Sequence, residues 1–146
     1  MTGAMWSARW LASACDDPAG CLREWQVGQQ GVVLVPAGRV WDALAVPEML
    51  GRSLLNAVAR SGHPATGPVL VDSRRQELVL LMDPGSPPAR LDRAARYLTS
   101  GTWLAIPDPG RRKVTGLSWL VPPDGKGTLF SPTDLYPSLT PHPPAA

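Results

Sequence analysis

The sequence predicts an α+β fold with a mixed, largely antiparallel sheet and helices packed on it, in the order αα-ββ-α-ββ-α-ββ. Three observations carry this prediction. Strand-like apolar runs come in pairs between helical stretches, whereas a doubly wound parallel sheet has one strand per helix. Neither Gly-x-Gly-x-x-Gly nor Gly-x-x-x-x-Gly-Lys-Ser/Thr occurs, so no glycine-rich turn leads a strand into a phosphate-binding helix. The composition, 44% apolar and 18% charged, supplies enough apolar surface for a core and is unlike that of disordered chains.

Taken in order, Trp6, Trp10 and Leu11 recur at i, i+4 and i+5, which predicts an amphipathic helix over 4–14 with its tryptophan face on the core. Ser7 and Arg9 interrupt that segment, so it does not read as a secretory leader ahead of Leu11–Cys15. Asp17-Pro18 is a cap followed by a first-turn proline; Leu22 and Trp25 give the stripe of a second helix, which ends at Gly28 to Gly31. Val32–Val35 and Val40–Val46 read as strands around the turn Pro36-Ala37-Gly38. Pro47 opens a helix over 48–61 with Leu50, Leu54, Ala57 and Val58 on one face and Gly62 as its stop. Val69–Val71 and Leu78–Met82, joined by the polar stretch Asp72–Gln76, predict a hairpin. Ser86 as cap and Pro87 at the first helical position predict another helix, with Leu91, Ala94, Ala95 and Leu98 as its apolar face and Gly101 as its end. Trp103–Ile106 and Leu117–Val121 are the last two strands. Residues 1–136 are expected to form a single α+β domain, and 137–146, with Pro137, Pro141, Pro143 and Pro144, a mobile proline-rich tail.

A length of 146 residues suits one core better than two. Ala 17, Gly 14, Pro 17 and Arg 12, against two Lys and a single Ile, read as GC-rich bacterial coding. Two cysteines make no disulfide framework, and no stretch reaches the roughly 20 apolar residues of a membrane helix, so a cytoplasmic protein with no membrane role is expected. Residues 1–73 carry five Arg against six acids, and residues 74–146 seven Arg and two Lys against six acids; the halves are −1 and +3. The basic half permits nucleic-acid contact without demanding it.

Few residue constellations suggest catalysis. His63 and His142 are the only histidines, and Cys15 and Cys21 stand six apart instead of at zinc-knuckle spacing, so two reduced thiols are expected and no metal site. No Gly-x-Ser-x-Gly elbow occurs. Basic residues are better placed. Arg90, Arg93 and Arg96 lie at i, i+3 and i+6 of the helix predicted after Pro87, opposite its leucines; Arg111, Arg112 and Lys113 occupy the loop before the last strand; Arg74 and Arg75 sit at the hairpin tip. Converging, they would bind phosphate, with Trp103 or Trp119 offering a stacking face; separately, they are solvated helix and loop residues. The tryptophan face of Trp6 and Trp10, or the proline-rich tail, is the candidate surface for a protein partner. Asp42, Asp72 and Asp83 would have to assemble for an unanticipated metal site.

The order of Leu22-Arg23-Glu24-Trp25, Gly31-Val32-Val33-Leu34-Val35-Pro36-Ala37-Gly38, the strand with Trp41-Asp42, the hairpin and the strand-loop-strand ending in Trp119 resembles the bifunctional DNA primase/polymerase N-terminal domain of the archaeo-eukaryotic primase superfamily, and within it short actinobacterial proteins. The resemblance spans residues 5–125 and implies a primase/polymerase-like fold. In that family an Asp-x-Asp pair at a strand end and a later acid hold divalent ions, and a hairpin histidine contacts phosphate. Here the matching strand reads Asp42-Ala43-Leu44-Ala45-Val46-Pro47 and the hairpin reads Gln76-Glu77-Leu78, with neither the second carboxylate nor the histidine. The resemblance therefore implies a degenerate active site: a non-catalytic accessory protein, without cofactor, that binds single-stranded DNA, a nucleotide or a protein partner. The competing reading is an interaction protein with no nucleic-acid role.

Overall fold

Along Asp42–Pro47, Leu44 and Val46 point to one side and Ala43 and Ala45 to the other, and all four are fully buried. A strand buried on both faces needs a layer on each side. The computed structural model describes residues 3–28, 31–62, 67–85, 87, 90–111 and 113–139, and both layers are present. The elements are α1 (Gly3–Ala12), α2 (Pro18–Val27), β1 (Val32–Pro36), β2 (Asp42–Pro47), α3 (Glu48–Arg60), β3 (Val69–Asp72), β4 (Glu77–Met82), β5 (Arg96–Leu98), β6 (Trp103–Pro107), β7 (Leu117–Val121), α4 (Pro132–Leu135) and a 3₁₀ turn, Tyr136–Ser138. The fold is α+β with two antiparallel sheets: five strands in the order β5-β2-β4-β3-β7, and the pair β1-β6.

On one face of the larger sheet, Leu44, Val46, Leu78, Leu80 and Met82 pack with Leu54 and Val58 of α3, with Phe130, and with Leu135 and Leu139 near the C-terminus. Gly51 lets α3 approach, because a Cβ there would stand 2.7 Å from Leu78 Cδ1. On the other face, Ala43, Ala45, Leu70, Val79 and Leu81 meet Leu11 and Ala12 of α1, Trp25 of α2, and Val35, Leu104 and Ile106 of the β1-β6 ribbon. The Trp25 indole N–H anchors α2 on the ribbon by donating to the Ile106 carbonyl at 3.0 Å. The ribbon is bent back over the sheet at a corner where the Ala37 N–H donates to the Thr102 carbonyl. Gly38 turns that corner at φ +92, where a Cβ would stand 2.5 Å from the Ser100 backbone nitrogen.

The two N-terminal helices, α3 and the β3-β4 hairpin lie where the sequence predicts them. Other expectations need correction. Between Pro87 and Gly101 the described residues form no helix: Arg96–Leu98 form β5, which gives β2 its second ladder partner through Ala43↔Leu98 and Ala45↔Arg96. Without β5, the outer backbone groups of a buried strand would lack partners. Asp92 also works against a helix there, since its carboxylate accepts the Ala94 N–H at 2.8 Å and its carbonyl the Ala95 N–H, local bonds that compete with helical ones. β1 and β2 do not pair with each other, nor do β6 and β7: β1 joins β6 and β7 joins β3. Cys15 and Cys21 are joined as a disulfide instead of two thiols, because the turn after α1 brings Cys15 beside the start of α2. Pro137 and Ser138 of the expected tail belong to the 3₁₀ turn and Leu139 lies in the core at 1% exposure; residues 140–146, where the rest of that tail falls, lie outside the described ones. Among the described residues no helix is long and apolar enough to cross a membrane.

A cationic cleft between the two sheets as candidate functional site

The bent ribbon covers only part of the sheet, and a cleft of about 760 Å³ remains between them. Such a volume lies within the range of small-ligand sites. Leu70, Val79 and Leu98 of the larger sheet form its floor; Leu34, Trp103 and Leu104 of the ribbon, with Arg74, Arg75, Arg96 and Thr115, complete its lining. Trp103 keeps 52% of its surface exposed and Leu34 61%, an apolar platform on the ribbon face opposite that of the buried Leu104.

The rim is built by backbone chemistry. Asp72, the last residue of β3, accepts the N–H groups of Arg74 and Arg75 at 3.1 and 3.2 Å through one carboxylate oxygen, so the turn presents two consecutive arginines. Ser73 then donates from both its N–H (2.9 Å) and its hydroxyl (2.8 Å) to the Gly116 carbonyl, docking the hairpin tip onto a second turn. In that second turn Val114 and Leu117 exchange two 2.8 Å hydrogen bonds around Thr115 (φ 51) and Gly116 (φ 80), the type I′ geometry of a two-residue hairpin. A Cβ on Gly116 would lie 3.1 Å from Arg74 Cγ, so the glycine leaves room for the arginine stem. Among the described residues neither Arg74 nor Arg75 is in an ion pair. Arg96 is, with Glu77 at 2.8 Å.

Of the basic residues singled out in the sequence, the fold brings Arg74, Arg75 and Arg96 to this cleft, together with Trp103. Arg90 and Arg93 are exposed on the segment before β5 and do not line it, because the helix that would have aligned them with Arg96 is absent. Arg111 approaches Asp108 at 3.9 Å and lies over Gly31, and Lys113 is exposed; neither lines the cleft, and Arg112 is outside the described residues. Trp119 is half-buried with its N–H on the Pro107 carbonyl at 3.1 Å, so it belongs to the core side. The expected core-packed tryptophan face of α1 is divided. Trp10 is half-buried, whereas Trp6 is 49% exposed with the Arg9 guanidinium 6.0 Å from its ring. The buried face consists of Ser7, Ala8, Leu11 and Ala12. Leu34, Thr102 and Thr115 had no local pattern to mark them, since only the pairing of β1 with β6 and the Thr115-Gly116 turn give them a cleft to line.

Asp42 has a different job. It is 1% exposed, and its carboxylate accepts the Thr99 hydroxyl at 2.8 Å, the Gly85 N–H at 3.0 Å and the Tyr97 hydroxyl. Most of its acceptor positions are occupied by protein donors. Desolvation, reinforced by the hydrogen bond to Asp42, raises the Tyr97 phenol above its ordinary range; desolvation also raises Tyr136. Asp83 adjoins Asp42 in the ladder, but Asp72 lies at the opposite end of the sheet, five residues along or roughly 16 Å away. The three acids therefore do not assemble. Among the described residues no group of three His, Cys, Asp or Glu side chains could hold a metal ion; His63 and His142 fall outside those residues. Comparison of the chain with family models, with curated proteins and with solved structures finds no match.

Proposed function

We propose that the protein is a non-catalytic, primase/polymerase-like binding module whose cleft takes single-stranded nucleic acid or a nucleotide. The supporting observation is the conjunction of two unpaired guanidiniums, Arg74 and Arg75, with a half-exposed indole, Trp103, on one apolar-floored cavity. Phosphate needs the first and an unstacked base the second, with each stacked base worth about 1 to 3 kcal/mol. A paired duplex offers no free base face for such a cavity, so a single strand fits better. The burial of Asp42 among hydroxyl and amide donors speaks for a structural carboxylate where the resembled family would hold ions.

The ligand class goes with a cytoplasmic location, and a Cys15–Cys21 bond that persisted in freshly quenched cells would count against that location. Binding of a fluorescent oligothymidylate at low salt tests the proposal. Affinity should fall with added salt, and about tenfold on Arg74→Ala with Arg75→Ala. No binding at low salt, or binding untouched by the double substitution, refutes it.

A further inference from the structure

We propose that Glu77 sets how much negative charge the cleft accepts: by holding Arg96 it leaves Arg74 and Arg75 as the free cations, which suits singly charged phosphodiesters and a nucleoside monophosphate and disfavours a triphosphate. This inference rests on the reading of the cleft as a nucleotide or single-strand site, and it names the ligand class within that reading.

The pair is fixed by the ladder. Arg96 stands opposite Ala45 on β2, Ala45 opposite Val79 on β4, and Glu77 lies two residues from Val79, hence on the same face of the sheet. On that face β2 presents Ala45 and Pro47, and across it Arg96 Nη2 reaches Glu77 Oε1 at 2.8 Å. The two partners are unequally solvated, with the Glu77 side chain 15% exposed and that of Arg96 47%. A ligand that draws Arg96 away therefore leaves a largely desolvated carboxylate without its partner. A ligand that leaves the pair intact finds Arg96 already neutralised. A triphosphate needs a third cation and brings its extra charge towards this carboxylate, whereas one phosphate per nucleotide is served by the hairpin tip. Water screens Glu77 poorly at this degree of burial, so the selection should survive moderate salt better than contacts at the exposed arginines.

Glu77→Gln tests this, because glutamine keeps an oxygen that can accept from Arg96 while removing the charge. Competition against fluorescent oligothymidylate would be measured without divalent cations, using thymidine monophosphate, thymidine triphosphate and inorganic triphosphate. The expected result is a gain of about tenfold for both triphosphates in Glu77→Gln, with the monophosphate changed much less. Arg96→Ala added to Glu77→Gln should abolish the gain, and Arg60→Ala, exposed at the end of α3, should change nothing. An equal change for mono- and triphosphate, no change for either, or a wild-type protein that already prefers triphosphate would overturn the role of Glu77. If the oligonucleotide still binds and still requires Arg74 and Arg75, the cleft reading survives that failure. If no ligand binds any variant, both fall together.

Discussion

Replacing Asp42 tests the interior of the fold and the assignment of that carboxylate to structure. Three donors converge on it: the Tyr97 hydroxyl, the Thr99 hydroxyl at 2.8 Å and the Gly85 N–H at 3.0 Å, and the residue is 1% exposed. Asp42→Ala removes the acceptor that all three share, at about 1 to 3 kcal/mol for each buried polar group left unsatisfied. The single Tyr97 proton can turn to the Gly85 carbonyl at 2.9 Å and water can reach part of the site, so the sum should fall at roughly 3 to 5 kcal/mol. For a chain of this length that lowers Tm by roughly 10 °C. Asp42→Asn should cost less, roughly 1 to 2 kcal/mol, because an oxygen at the Oδ2 position still accepts from Gly85 and Tyr97 while the amide donates to Thr99. Urea denaturation followed by tryptophan fluorescence reads both, with the exposed Asp83→Ala as a neighbouring control. An Asp42→Ala protein within about 0.5 kcal/mol of wild type would refute the carboxylate's structural role.

Other outcomes follow from the same structure. Thr115→Asn should stabilise the protein by about 0.5 to 1 kcal/mol, since a β-branched residue at φ 51 in a type I′ turn is strained and asparagine before glycine is favoured there; a loss in the urea midpoint would contradict the turn assignment. Tyr97 and Tyr136 are the two tyrosines and both phenols are raised, so phenolate absorbance should stay low through pH 10 in the folded protein and appear on unfolding. The sign is that of a raised acid: the stability these phenols lend is complete below pH 10, where a free phenol keeps its proton, and is lost as pH rises through their folded values. Ordinary titration near pH 10 would place both rings in water. Converting Cys15 and Cys21 together to serine opens a six-residue separation and should cost about 2 kcal/mol in the chain-entropy treatment, read by denaturation under non-reducing conditions; a protein of unchanged stability would mean the bond contributes nothing.

What the sequence revealed was what sits close together along it. The α3 stripe of Leu54 and Val58, the Asp17-Pro18 start of α2 and the hairpin of Val69–Asp72 with Glu77–Met82 depend on neighbours within a few residues, so their patterns are readable without the fold. β5 was not readable. Leu91, Ala94, Ala95 and Leu98 carry helical spacing, and only the demand of β2 for a second ladder partner, some fifty residues earlier in the chain, makes Arg96–Leu98 a strand. The same division runs through the cleft. Arg74, Arg75, Arg96 and Trp103 stand out by residue type, but which of them meet is decided by the pairing of β1 with β6 and of β3 with β7, long-range contacts that no local pattern encodes. Arg90 and Arg93 fell away with the helix that would have aligned them. Glu77, drawn into the site by its bond to Arg96, stood in the sequence only as part of the hairpin stretch Gln76-Glu77-Leu78.

Occupation of the cleft is best read from amide hydrogen exchange with and without a saturating single-stranded oligonucleotide. The account predicts slowed exchange at the hairpin tip, Ser73 to Gln76, and along the platform strand, Thr102 to Ala105, with α1 and the Arg111–Lys113 loop unaltered. Protection centred on Trp6 and α1, or on that loop, would contradict it.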